Sequence, residues 1–461
     1  MIRFGFMLSG EYRAQPETMK DTNRISYFAS RISRRLWAVA LALATIMIIS
    51  TFSFVDIGIA EAAPPTKVGH EFRVNRRTTN NQCCSSTAGL TDGGFVVVWM
   101  SNLQGGSKYN VYGQRYDANG KRVGGEFRVK ATTTHSQDHA DVAGLRDGGF
   151  VVVWHAYPPG SVWHPSPPGS VFGQRYDQSG TPVGGEFLVD AGHASDPSIT
   201  RLTNGEFVIA WGVLTSTTYD IYAQRYKNSG APVGGKLHVN TNSPAVSPSV
   251  TGLPDGSFVV TWNDFEVRGQ RYSADGSKVG GEFTINNSKI DSNKPAIAGS
   301  TDGGFFVAWG ARNDGWWHVY GRHFAADGVA TAPQFLISRT LPGDELNDAG
   351  GASVTSLKDG SYVVSWWGDD LSATGILGRR YSAAGDPLNK QFVINTYIPG
   401  FQYGSSVAAL KDGGFIATWW SLNQGGSGYG VYGQRYSAPV DDYAALTSAA
   451  KQGSNLRTIR R

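Results

Sequence analysis

The feature that most constrains this chain is a repeat. Seven times it writes a tight turn followed by an apolar run that ends in tryptophan. The turns are Asp92-Gly93-Gly94, Asp147-Gly148-Gly149, Asn204-Gly205-Glu206, Asp255-Gly256-Ser257, Asp302-Gly303-Gly304, Asp359-Gly360-Ser361 and Asp412-Gly413-Gly414. The tryptophans are Trp99, Trp154, Trp211, Trp262, Trp309, Trp366 and Trp419. Asp-Gly and Asn-Gly readily take the positive φ angles of a two-residue hairpin, so each turn joins two antiparallel strands. A third strand follows, Val111 to Tyr116 in the first repeat, with counterparts ending at Tyr176, Tyr226, Tyr272, Phe324, Tyr381 and Tyr436. A second turn leads to a fourth strand of the type Gly125 to Val129. Helical apolar spacing is hard to find beyond the N-terminus, so an all-β chain is expected.

Four antiparallel strands per repeat, repeated at about fifty residues, predict a seven-bladed β-propeller over residues 69–437. The last repeat stops after its third strand, while an orphan fourth strand, Glu71 to Asn75, precedes the first repeat. Pairing of this N-terminal strand with the last blade would close the ring and leave no open edge.

The runs "DGGFVVVW" and "GQRYD" resemble degenerate repeats of large exported bacterial proteins, some of which also carry haemolysin-type calcium repeats. The resemblance implies the propeller fold and export, and it places no catalytic residue. The glycine-rich calcium nonapeptide is absent from this sequence, so no calcium role is carried over.

Residues 1–62 read as a signal peptide. Arg31, Arg34 and Arg35 precede an apolar stretch from Leu36 to Ile59, and Ala60-Glu61-Ala62 offers a small-x-small cleavage site. The stretch is long enough to span a bilayer, so an uncleaved membrane anchor is the competing reading, and only then is the membrane a partner. Either way the repeats are expected outside the cytoplasm, secreted, periplasmic or on the cell surface. Net charge is +4, and residues 1–62 hold seven Lys/Arg against five Asp/Glu, so their removal leaves +2. That is too little to argue for nucleic acid. Cys83 and Cys84 are adjacent and cannot staple distant blades, which leaves a vicinal disulfide, an intermolecular bridge or two free thiols. Residues 438–461 lack a strand pattern and are expected to form a disordered basic tail.

The two faces of the ring differ in sequence. Loops within the first and last strand pairs are short and repetitive. Loops between strands two and three and between blades vary, and include Tyr157 to Ser170, Ser338 to Gly351 and Asn313 to His318. Function tends to sit on variable loops held by a rigid scaffold. On that face His139, Asp141, His155 and His193 are candidate acid and base groups. Asp141 is singular, because its counterparts are Ser86, Ser198, Ser249, Ala296, Ser353 and Ser406. No cofactor is expected, with a divalent metal on His135, Asp138 and His139 held open. The plain alternative is that these are solvated loop residues, since no ligand spacing such as His-Glu-x-x-His occurs.

Aromatic residues of the variable loops, Trp163, Trp316, Trp317, Tyr109 and Tyr403, could stack on sugar rings, with Asp314, Asp369 and Asp370 hydrogen-bonding hydroxyls. The once-per-blade arginines, from Arg115 to Arg435, read instead as partners of the turn aspartates. The resulting expectation is a non-catalytic binding or adhesion propeller that recognises a glycan or an extracellular protein. A polysaccharide lyase or hydrolase using the His/Asp group is the alternative.

Overall fold

A computed structural model describes residues 62–439 apart from 105–108, 131–134, 158–168, 216–217, 242–243, 287–291, 339–348 and 371–372. The expected signal peptide or anchor, and nearly all of the expected tail, lie outside the described residues. Among the described residues, no helix is long and apolar enough to cross a membrane.

The chain is a seven-bladed β-propeller of four-stranded antiparallel sheets. The first blade holds Gln82–Gly89 innermost, then Phe95–Asn102, Tyr109–Tyr116 and Arg122–Arg128. The seventh closes as the sequence implies: Lys67–Arg73 pairs antiparallel with Tyr429–Tyr436 and is the outer strand of that blade. It begins four residues earlier than expected because a bulge lies between Val68 and Phe72, at Gly69 with φ 68°. The same bulge sits at Gly124, Gly184, Gly234 and Gly280, each with φ 69°. A side chain in that left-handed region would be strained, which explains the recurring Gly-Gly.

Each letter of the third-strand motif has a physical task. The glycine lies under the phenylalanine of the outer strand: a Cβ on Gly113 would stand 2.5 Å from Phe127 Cζ, and one on Gly173 2.3 Å from Phe187 Cζ. In the third blade the position is Ala223 and its cross-strand neighbour is Leu237, a smaller apolar side chain than phenylalanine. The glutamine fills the bulge, with Gln114 Nε2 donating to Arg115 O at 3.0 Å and Val123 O at 3.3 Å. The arginine pairs with the hairpin acid, as in Arg115 with Asp92, Arg225 with Glu206 at 3.0 Å and Arg380 with Asp359 at 3.2 Å. The final ring stacks on the first residue of the second strand, Phe95 on Tyr116 at 4.6 Å and Phe415 on Tyr436 at 4.5 Å. The seven repeat tryptophans are fully buried between blades.

Neighbouring inner strands approach closely. A Cβ on Gly144 would meet Gly89 O at 2.4 Å, and one on Gly89 would meet Ala409 O at 2.2 Å. The inner strand is a sheet edge, and side chains of the preceding blade take up its unpaired N–H groups. Thr87 N donates to Ser406 Oγ at 3.2 Å, Val250 N to Ser198 Oγ at 3.3 Å and Val407 N to Ser353 Oγ at 3.1 Å.

Closure predicts a truncation phenotype. A chain beginning at Arg76 lacks the outer strand of the seventh blade and leaves Tyr429–Tyr436 as an open edge. It is expected to self-associate in size-exclusion chromatography with light scattering, whereas a chain beginning at Ala62 stays monodisperse. A well-behaved monomer melting at the same temperature as the longer chain would refute a dependence on closure.

Candidate functional site

The inner strand enters each blade from the variable-loop face, and a second bulge interrupts it there. Register shifts fall between Cys83 and Ser86, Asp138 and Asp141, Ser195 and Ser198, Val246 and Ser249, Gly350 and Ser353, and Tyr403 and Ser406. The bulged residue is left-handed in each case: Cys84 (φ 58°), His139 (φ 45°), Asp196 (φ 48°), Ser247 (φ 53°), Gly351 (φ 62°) and Gly404 (φ 62°). Lys294 stands at the matching place in the fifth blade, after Asn293, whose N–H donates to Gly310 O at 2.9 Å. These residues ring the inner end of the variable-loop face, and their chemistry changes from blade to blade.

On one side the ring is polar. Asp138 and His155 face each other across adjacent strands, and the bulge swings His139 onto the same carboxylate. His155 Nδ1 lies 2.9 Å from Asp138 Oδ1, and His139 Nδ1 lies 3.0 Å from that oxygen. His139 Nε2 reaches Asp196 Oδ1 of the next blade at 3.5 Å. Asp138 and His155 are buried. Burial alone would lower the His139 pKa, but the carboxylates of Asp138 and Asp196 outweigh it and push it up to about 10. Burial would raise Asp138, yet His139 and His155 hold it well below the usual carboxylate range. The metal-free group is therefore an ion pair at neutral pH. Burial and the Asp138 carboxylate push the Tyr157 phenol up, and Tyr109 is close enough to add to the shift. Beside them Cys83 and Cys84 are free thiols with their sulfurs 3.0 Å apart. Lys294, three blades away around the ring, is close enough to act electrostatically on both His139 and Cys84.

The opposite side is aromatic. Trp367 and Trp420 directly follow the core tryptophans, the place His155 holds in the second blade. Their indoles lie on the bulge glycines: a Cβ on Gly404 would stand 2.1 Å from Trp420 Nε1, and one on Gly351 2.8 Å from Trp367 Cδ1. Tyr403 sits between the indoles, 5.2 Å from Trp367 and 5.1 Å from Trp420, and stacks on Phe401 at 5.9 Å. Phe401 is 42% exposed. Tyr429 meets Trp420 edge-on at 4.5 Å.

Asp138, His139, His155, Tyr109 and Tyr403 thus all belong to this inner end. Other expected residues do not. Asp141 is an inter-blade linker: its carboxylate accepts Ser86 Oγ at 2.6 Å and Ile199 N at 2.9 Å, the task the serines perform elsewhere. His135 is outside the metal-capable group, which His155 completes. His193 is an exposed turn residue whose carbonyl accepts Leu214 N at 2.9 Å. Residues 313–318 form no irregular loop. Asp314-Gly315 is a two-residue hairpin turn joining Phe305–Asn313 to Trp316–Phe324, so Trp316 and Trp317 start a strand. Asp370 is buried and accepts Ala373 N at 3.0 Å, and Asp369 ends a strand opposite Thr374. Trp163 lies outside the described residues. Asp196, which the sequence places among the loop histidines, joins the site through His139, whereas Cys84, Trp367 and Trp420 are members that were not among the sequence candidates. Counting two residues back from each inter-blade serine would have found the bulge ring.

No protein-family model and no curated protein matches the chain. Solved structures do match in fold. A protein of unknown function from Dyadobacter fermentans is 11% identical with TM-score 0.52, covering 67% of this chain and 97% of its own. A fungal alcohol oxidase in complex with copper is 12% identical with TM-score 0.49, covering 81% and 76%. An ulvan lyase is 10% identical with TM-score 0.49, covering 80% and 96%. Likeness at this level is a likeness of fold and leaves function to the site itself.

The two roles assigned to acidic residues separate in one experiment. Asp141→Ala leaves the Ile199 N–H without its partner and is expected to cost about 1–3 kcal/mol in denaturant unfolding. Asp141→Ser, the residue of most other blades, should recover most of that loss. Equal destabilisation by both changes would contradict the linker role.

Proposed function

We propose that this is an exported propeller that binds a glycan, without turning it over, at the inner end of its variable-loop face. The observation that carries the reading is the division of one ring of positions into an aromatic wall, Trp367, Tyr403 and Trp420, and a polar wall, Asp138, His139 and Asp196. A pyranose has the matching division: C–H faces that pack on rings, and hydroxyls that need directed donors and acceptors. Lys294 adds a cation close enough to act on His139. Binding is favoured over turnover because the Asp138 carboxylate is engaged by two imidazoles and His139 keeps its proton near neutral pH, which leaves neither poised as a general base. Export rests on the basic and apolar N-terminal segment followed by Ala60-Glu61-Ala62.

A lyase or hydrolase acting on polysaccharide at the same place is the second reading, favoured by the closeness of three groups able to move protons or hold a metal. A glycan array on the full chain, followed by calorimetry on the strongest hit, tests both. Trp367→Ala, Trp420→Ala and Tyr403→Ala are each expected to weaken binding about tenfold or more, which is 1.4 kcal/mol. His193→Ala should bind as the parent does. Incubation with the same polysaccharide should release no new chain ends. Chain cleavage would establish the enzyme reading, and binding indifferent to the aromatic variants would remove the proposed wall.

A further inference from the structure

We propose that Asp138, His139 and His155 bind one divalent transition-metal ion, independently of whether the neighbouring wall takes a glycan. Each offers one ligand atom, and these atoms lie within 4.8 Å of one another. Among the described residues, it is the one such group of three or more His, Cys, Asp and Glu side chains. The two imidazole nitrogens stand 2.9 and 3.0 Å from Asp138 Oδ1. Ligands about 2.0–2.1 Å from an ion in tetrahedral geometry are separated by only a few tenths of an ångström more. Small side-chain rotations would therefore admit the ion between them.

Three further features fit a metal better than a plain polar cluster. His139 Nδ1 is buried and sits 3.0 Å from Asp138 Oδ1, so it would meet an ion held by that carboxylate once its proton is lost. The other nitrogen of His139 points at the Asp196 carboxylate at 3.5 Å, the outer partner that orients metal-bound imidazoles. His155 is fixed by packing: its Nε2 lies against Gly169, where a Cβ would stand 2.0 Å away. The ion displaces the proton from His139, since one nitrogen cannot hold both. Two imidazoles and a carboxylate are a donor set for zinc and its first-row neighbours, and a poor one for calcium or magnesium, which take oxygen ligands. Three protein ligands would leave a fourth coordination position for water.

Calorimetric titration of the chelator-treated full chain with Zn²⁺ tests the site. The expected result is one equivalent bound by the parent chain, by the Cys83→Ser/Cys84→Ser double variant and by His193→Ala. Asp138→Asn, His139→Asn and His155→Gln should each lose at least about a hundredfold in affinity. Asparagine is chosen at 139 because it tolerates the left-handed backbone there. Should these variants fail to fold, Co²⁺ added to the parent chain decides the matter. Visible d–d bands without a sulfur-to-cobalt charge-transfer band are expected. No binding, binding unaffected by the three cluster variants, loss of binding in the double cysteine variant, or a thiolate charge-transfer band would each overturn the proposal.

Discussion

The constraint on which the rest depends is the closeness of the inner strands. Seven sheet edges converge on one axis, and each carries N–H groups that no strand can pair. The preceding blade supplies the acceptors. Ser406, Ser198 and Ser353 do so with hydroxyls, Asp141 does so with a carboxylate, and two residues further along Thr200, Thr251 and Thr355 serve Gly252, Gly299 and Ala409. Side chains long enough to add contacts would drive the blades apart, as the glycine contacts show. The repeat is therefore held uniform by packing on the hairpin face and along most of the inner strand.

What escapes that uniformity is the bulge at the strand's entrance. It lifts one residue out of the regular inner-strand ladder, and the packing leaves that residue free to vary from blade to blade. Cysteine, histidine, aspartate, serine, lysine and glycine all occupy the position. The two glycines have a local reason, because the indoles of Trp367 and Trp420 lie directly on them. Where the bulge carries a side chain, as at His139, the place after the core tryptophan holds His155 and the cluster becomes polar. Opposing chemistries on one ring thus arise from a single exchange between a bulge side chain and its cross-strand neighbour.

The architecture was almost fully legible in the sequence, for physical reasons. Asp-Gly turns, period-two apolar strands and a buried tryptophan per repeat are local signals that agree with one another. Closure was legible from the surplus strand at Glu71. The bulges were not, because at the inner strand the left-handed residues are mostly not glycine, so the usual mark of positive φ is missing. That gap explains the two opposite errors. Asp141 looked chemical because it was singular, although its task is the serine's. Trp367 and Trp420 are absent from the aromatic candidates read from the sequence, although they build the aromatic wall. The Asp314-Gly315 hairpin follows the same rule as the other turns, with Trp316 and Trp317 opening the strand after it.

On the proposed reading, ligand contact is confined to the inner end of one face. Hydrogen exchange on the full chain, with and without a polysaccharide selected on the array, measures this most directly. Slowed exchange is predicted at residues 138–139, 195–196, 350–351 and 403–404, with the Asp-Gly hairpins unchanged. Protection on the hairpin face or the outer strands, with those four segments unaffected, would contradict it.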